Sequence, residues 1–171
     1  QELNTCCMKV DAGMRREAAG GKMYTLGRGR SGEPLVYFRP ALETGSDYEA
    51  SLHLLVYTLE RAIKSMDSKR GVEKFIVLVD CTGFGLSRAP PISLVTGQFK
   101  TLMHNYPMRL GKVFVVNAGT PMNMLWKIVS PILNERTRHK VFFLSEKEIS
   151  QHIPQYVNPD VLEVEFGGKL E

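Results

Sequence analysis

The residues with chemical potential in this chain gather where apolar stretches end. Asp80 closes the run Phe75 to Val79 and is followed by Cys81, Thr82 and Gly83; Asn117 and Ser145 close two later apolar runs. Open α/β sheets place their sites at the carboxyl ends of parallel strands, so these three residues are the first to weigh. Acid–base catalysis needs a second carboxylate or a histidine beside the first, and none falls at these ends. A single aspartate before a Thr-Gly turn is better suited to ordering the loop. Gly85-Leu86-Ser87-Arg88-Ala89 approaches a nucleophile elbow, but Ala89 replaces the second glycine and Pro90 and Pro91 follow at once, which spoils the tight strand-to-helix turn that exposes the serine. Ser87 with Asp80 remains a minority serine-hydrolase reading. His53, His104, His139 and His152 stand apart, without metal-ligand spacing, and Cys6, Cys7 and Cys81 form neither a metal pair nor a disulfide framework. Gly27 to Gly32 satisfies G-x-G-x-x-G, yet a strand rather than a helix comes after it, so no helix amino terminus is there for a pyrophosphate. The sequence assigns no catalytic residue, no metal ligand and no cofactor.

The elements that carry these residues alternate. Residues 15–22 read as the end of a short helix broken at Gly20-Gly21, and Met23 to Leu26 and Leu35 to Phe38 as strands joined by a glycine-rich connection, the second closed by Pro40. A long helix capped by Ser46 or Asp47 carries Leu52, Leu55, Val56, Leu59, Ala62, Ile63 and Met66 on one stripe. Strand 74–81 leads to a helix opening near Pro91 with Ile92, Val95, Phe99, Leu102, Met103 and Tyr106 along one side. Strand 112–117 leads to a helix opened by Pro121, in which Met122, Leu125, Trp126, Val129, Ile132 and Leu133 share a face while Met124 and Ile128 lie off it. A charged segment from Asn134 to His139, strand 140–144, a helix near 146–153 and an extended piece ending at Gly167-Gly168 complete the chain. Crossovers too long for hairpins imply an α/β fold with a mostly parallel sheet covered by helices.

With 171 residues, 43% of them hydrophobic, the chain fits one domain with a real core. No apolar run approaches the ~18 residues of a membrane span. The net charge of +4 favours anionic surfaces. The basic residues are spread singly, without the interleaved aromatics of a nucleic-acid reader, so no nucleic-acid partner is expected. Gln1 opens without a secretion signal and reads as the start of a piece of a longer chain; cytoplasm is the expected compartment. Residues 1–22 form an amino-terminal segment, 23–168 the domain, and 169–171 a tail that reads as a cloning remnant.

Asp80-Cys81-Thr82-Gly83 after an apolar strand, Tyr106-Pro107-Met108-Arg109-Leu110-Gly111-Lys112, Asn117-Ala118, Trp126-Lys127 with Pro131-Ile132-Leu133, Thr137-Arg138-His139-Lys140-Val141 and Phe166-Gly167-Gly168 occur in the order found in CRAL-TRIO lipid-binding domains. The chain resembles that family from about Met23 to Gly168. The resemblance implies a mixed sheet flooring a deep apolar cavity, a mobile gate helix from Pro121 to Leu133, and a protein that is not an enzyme. Its ligand is a lipid, a phospholipid, a phosphoinositide or another small hydrophobe, carried or presented at a transiently visited membrane surface. A lipid-sensing module of a larger signalling protein, with other domains of a longer chain as partners, is the alternative.

A diacyl lipid hides about 30 methylenes worth about 0.8 kcal/mol each, so only an enclosed apolar space can carry it. Phe75, Val77, Val79, Val113 and Val115, with Phe99, Met103, Phe142 and Leu144, are the expected lining. A buried parallel strand is apolar on both faces, which leaves open which parity faces the ligand. Met122, Met124, Leu125, Trp126, Ile128 and Val129 are the expected gate residues, although a neighbouring helix touching Met124 and Ile128 satisfies the same pattern. In members that bind phosphatidylinositol, a threonine and a lysine at the positions of Thr137 and Lys140 hold the phosphate, with Arg109 as a further candidate. Met108 stands where those members carry a glutamate for the inositol ring, and Phe75 and Val77 where phosphatidylcholine binders carry hydroxyls. These departures point to a less polar ligand or to one held by its phosphate alone.

Overall fold

The computed structural model describes residues 12–43, 47–85, 87 and 89–170; the expectations placed on Cys6, Cys7, Ser46, Leu86, Arg88 and Glu171 lie outside them. Helix α1 (Ala12–Ala19) leads through Gly21, whose φ of 70° is the left-handed conformation glycine permits, into β1 (Met23–Arg28) and β2 (Pro34–Phe38). After them come α2 (Tyr48–Lys64), β3 (Phe75–Asp80), α3 (Ile92–Asn105), β4 (Leu110–Val116), α4 (Thr120–Val129), α5 (Glu135–Arg138), β5 (Val141–Leu144) and α6 (Glu146–His152). The five strands lie side by side in chain order; β1 is antiparallel to β2 and every later pair is parallel. Asp47 caps α2 by accepting the Ala50 amide at 2.9 Å.

Strand order fixes the layers. When parallel strands succeed one another in sequence, right-handed crossovers drop every connecting helix on the same face. Thus α2, α3 and α4 share one side of the sheet, and α2 lies directly against β1 and β2. The other side is closed by the chain beyond β5: Ile149, Ile153, Val157, Leu162 and Phe166 pack on Leu35, Tyr37, Ile76, Leu78, Phe114 and Val116. That last stretch, expected as one extended piece, turns through short 3-10 segments at Ile153–Gln155, Pro159–Val161 and Val164–Phe166, because Pro154 and Pro159 start turns that a strand cannot continue. It is fastened by Glu163, whose carboxylate accepts the Arg39 guanidinium at 2.8 Å and the Tyr24 hydroxyl at 2.5 Å. At Gly168 a Cβ would sit 1.8 Å from the Leu162 carbonyl oxygen, so only glycine fits that crossing.

Two further expectations change. The charged segment after Leu133 contains a one-turn helix, α5, capped by Asn134, whose side chain accepts the Thr137 amide at 2.8 Å. The α2 stripe is wider than the single face read from spacing: Ala50, Ser51, Leu54, Thr58 and Ala62 are buried, while Leu52, Leu55, Ile63 and Met66 are half-buried, since the helix is wedged between the sheet, α1 and α3. Among the described residues, no helix is long and apolar enough to cross a membrane.

Candidate functional site

The strand ends where catalysis was sought are structural. Asp80 Oδ1 accepts the Thr82 amide (3.0 Å), the Thr82 hydroxyl (2.7 Å) and the Asn117 side-chain amide (2.9 Å), an arrangement that ties the ends of β3 and β4 together. Asn117 takes the left-handed backbone (φ 55°) while making that bond. Ser145 forms a capping box with Glu148 at the start of α6. Burial, with Asp80 adding, pushes the Cys81 thiol up to about 12, which suits packing and not nucleophilic attack. No group of three His, Cys, Asp or Glu side chains suited to a metal occurs among the described residues.

The unusual feature is the contrast between the two faces of the central strands. Toward the carboxyl-terminal segment, Ile76, Leu78, Phe114 and Val116 are 2%, 0%, 1% and 0% exposed. Toward α3 and α4, Phe75, Val79 and Val115 are buried, but Val77 and Val113 on the central strands β3 and β4 are only half-buried, as are Val141 and Phe143 on the edge strand β5. The packing on this side breaks into three clusters. One joins α1 and α2 to Met23, Val36 and Phe75; a second surrounds Val79, Cys81 and Val115; a third, of Val95, Val129 and Leu133 with Phe99, Met103, Leu125 and Trp126, joins α3 to α4. Helix α4 meets the sheet through Met122 and through Trp126, whose ring centroid lies 5.4 Å from that of Phe143.

The expected lining residues divide between the two faces. Phe75, Val77, Val79, Val113 and Val115 share the α3–α4 side, with Phe75 already covered by α2. Phe142 and Leu144 do not join them: both pack on the opposite face, and Val141 and Phe143 take the places expected of them. The register explains the exchange, since Phe142 aligns with Phe114 and Phe143 with Val115. Phe99 and Met103 line the seam between α3 and α4. In α4, Leu125 and Trp126 are half-buried and Val129 is buried, whereas Met124 and Ile128 are 48% and 41% exposed and turn to solvent rather than to a neighbouring helix.

The polar candidates meet at the amino ends of the strands, the opposite end from Asp80. Lys140 Nζ donates to the Leu110 carbonyl at 2.7 Å, and Arg109 Nη1 to the Glu73 carbonyl at 3.2 Å. Burial lowers the Lys140 pKa, and the charges of Lys74 and Arg136 lower it further. The Thr137 hydroxyl has no hydrogen-bond partner among the described residues, and Arg136 Nη1 lies 3.8 Å from the Met108 sulfur. Met108 itself is 60% exposed with φ 64° and edges an open depression of about 490 Å³ that also touches Glu60, Tyr106 and Arg109. Lys74 and Arg136 escaped the sequence reading. Lys74 occupies the residue before β3 as Lys140 occupies the residue before β5, and that shared strand-start position is the signal that could have found it.

The comparisons agree with this architecture. The family model described as CRAL/TRIO domain matches residues 18–168. The chain belongs to that family. The CRAL/TRIO domain is found in lipid-binding and lipid-transfer proteins. A CRAL-TRIO domain-containing protein of Schizosaccharomyces pombe is 29% identical over 157 residues, covering 92% of this chain and 15% of the relative. Clavesin-1 of Xenopus laevis is 30% identical over 121 residues, 70% of this chain and 35% of its own length. The phosphatidylinositol transfer protein PDR17 of Saccharomyces cerevisiae is 27% identical over 156 residues, 88% of this chain and 42% of that protein. The chain therefore spans less than half the length of each of these relatives. The crystal structure of Sfh5 superimposes with a TM-score of 0.71 at 12% identity, covering 99% of this chain and 61% of that one, and shares the CRAL/TRIO fold.

Proposed function

We propose that this CRAL/TRIO domain binds a hydrophobic lipid between the α3–α4 layer and the Val77–Val113 side of the sheet, and presents it at membranes. The observation that carries the reading is the unequal cover of the two sheet faces. A parallel sheet is ordinarily dry on both sides, and apolar side chains left half-buried on central strands are surface that an acyl or isoprenoid chain can cover at about 25 cal/mol per Å². Met124 and Ile128, one helical turn apart on the outside of α4, form an apolar edge with Lys127 beside it, a pattern suited to resting on an anionic bilayer while the ligand passes. Thr137, Lys140 and Arg109, joined by Lys74 and Arg136, supply donors and positive charge for a phosphate at the amino ends of the strands. With Met108 in place of a hydrogen-bonding side chain, the headgroup is held through phosphate and not through a sugar ring.

The test is solvent extraction and mass spectrometry of protein purified without added lipid, together with transfer between donor and acceptor liposomes. A stoichiometric lipid and transfer above the spontaneous rate are expected; empty protein and background transfer with phospholipids, sterols and tocopherol alike would end the reading. A second reading, lipid sensing inside a larger protein, draws on the 15% share of the fission-yeast relative that this domain spans. It predicts retained binding with no net transfer between liposomes.

A further inference from the structure

We propose that Trp126 is the specificity-determining side chain of the lipid space: it stands as a pillar between α4 and β5 and sets how far the ligand can extend across the sheet. The inference rests on the proposed lipid site and adds to it a residue that selects ligand size. Trp126 belongs to the cluster that joins α3 to α4, yet its ring also meets Phe143 at 5.4 Å and an interplanar angle of 54°. Among the described residues it makes the only ring contact between the helical layer and this face of the sheet. The indole therefore covers part of β5, while Val77 and Val113 on β3 and β4 stay half-buried.

The other flank is closed by Leu102 of α3 and by Tyr106 just after it, which pack with α2 and Phe75. A ligand lying on Val77 and Val113 thus meets α2 and α3 on one flank and the indole on the other. Shortening Trp126 joins the surface over β5 to the rest. The same face of Phe143 that now packs on the indole becomes available to a longer chain or a broader ring system, whereas adding bulk elsewhere on α4 leaves the boundary where it is. Each further methylene that the enlarged space takes out of water favours the longer ligand about fourfold.

The experiment offers the protein mixed vesicles of one phospholipid headgroup with acyl chains graded from lauroyl to arachidoyl, together with cholesterol, re-isolates the protein and measures the loaded lipid by mass spectrometry. Trp126→Ala is expected to move the loading optimum to longer chains or to sterol, by about fourfold per methylene gained. Trp126→Phe, which keeps a ring against Phe143 and guards against a variant that fails to fold, should fall between. Leu26→Ala, on the far edge strand and 43% exposed, should match the parent. Identical profiles for the parent and both Trp126 variants overturn the pillar while leaving lipid binding intact. If the parent itself takes up no lipid from any vesicle, the proposed function fails and this inference with it. Trp126 is the one tryptophan in the sequence, so a blue shift or quenching of its emission on loading gives a second readout, and an emission spectrum unchanged by a demonstrated load counts against the pillar.

Discussion

At the scale of single residues, the site is defined by which groups lack partners. Among the described residues Lys140 has only a backbone carbonyl to donate to, and its neighbours Lys74 and Arg136 repel it; an arriving phosphate would relieve all three. Lys140→Ala should weaken binding of vesicles containing phosphatidylinositol or phosphatidate by about tenfold, the worth of one hydrogen bond to a charged group, and leave uptake of an uncharged sterol unchanged. Flotation with each vesicle type checks both halves. Cys81 gives a pH prediction. Its thiol lies near 9.0 in the unfolded chain and at about 12 when folded, so its contribution to stability is complete below pH 9 and is lost as pH rises from there toward 12. Tyr24, Tyr37 and Tyr106 are raised by burial in the same sense. The chemical-denaturation midpoint should therefore fall on the alkaline side, and mass-mapped alkylation at neutral pH should leave Cys81 unmodified until the protein unfolds.

At the scale of elements, α1 is held by a buried ion cluster and not by apolar area alone. The Lys22 ammonium, 2% exposed, bonds Glu17 of α1, Glu43 at 3.2 Å and the Ser51 hydroxyl of α2 at 2.6 Å. Lys22→Met removes the cation and leaves Glu17 buried without it, a change that costs about 3–5 kcal/mol and should appear as a large fall in Tm. Glu17→Gln with Lys22→Met should recover part of the loss, since it removes the charge that burial penalises. The same scale shows what the sequence could and could not reveal. Strand–helix alternation and the Pro121 start of α4 are local patterns and were legible, as was the alternation of Val77 with Val79 and of Val113 with Val115 within each strand. The parity of β5 was not: all four of Val141, Phe142, Phe143 and Leu144 are apolar, and only the pairing of Phe143 with Val115 decides which two face α4. Lys74 could not be joined to Lys140 for the same reason, because the register that brings them together spans three strands, whereas Arg136 stands in the short helix just ahead of Lys140.

At the scale of the whole molecule, the family and fold were legible because the motifs fall in a fixed order along a sheet whose spatial order repeats the chain order. What no motif conveys is that one side of the sheet depends largely on residues made after the last strand. Leu35, Tyr37, Ile76 and Phe114 find most of their cover in Ile149, Ile153, Val157, Leu162 and Phe166. During synthesis each strand can dock on the one before it as it leaves the ribosome, while that flank stays bare. At ordinary translation speeds the exposure lasts on the order of seconds. Nascent chains halted just beyond Leu144 would thus be the ones that a ribosome-associated holdase must shield.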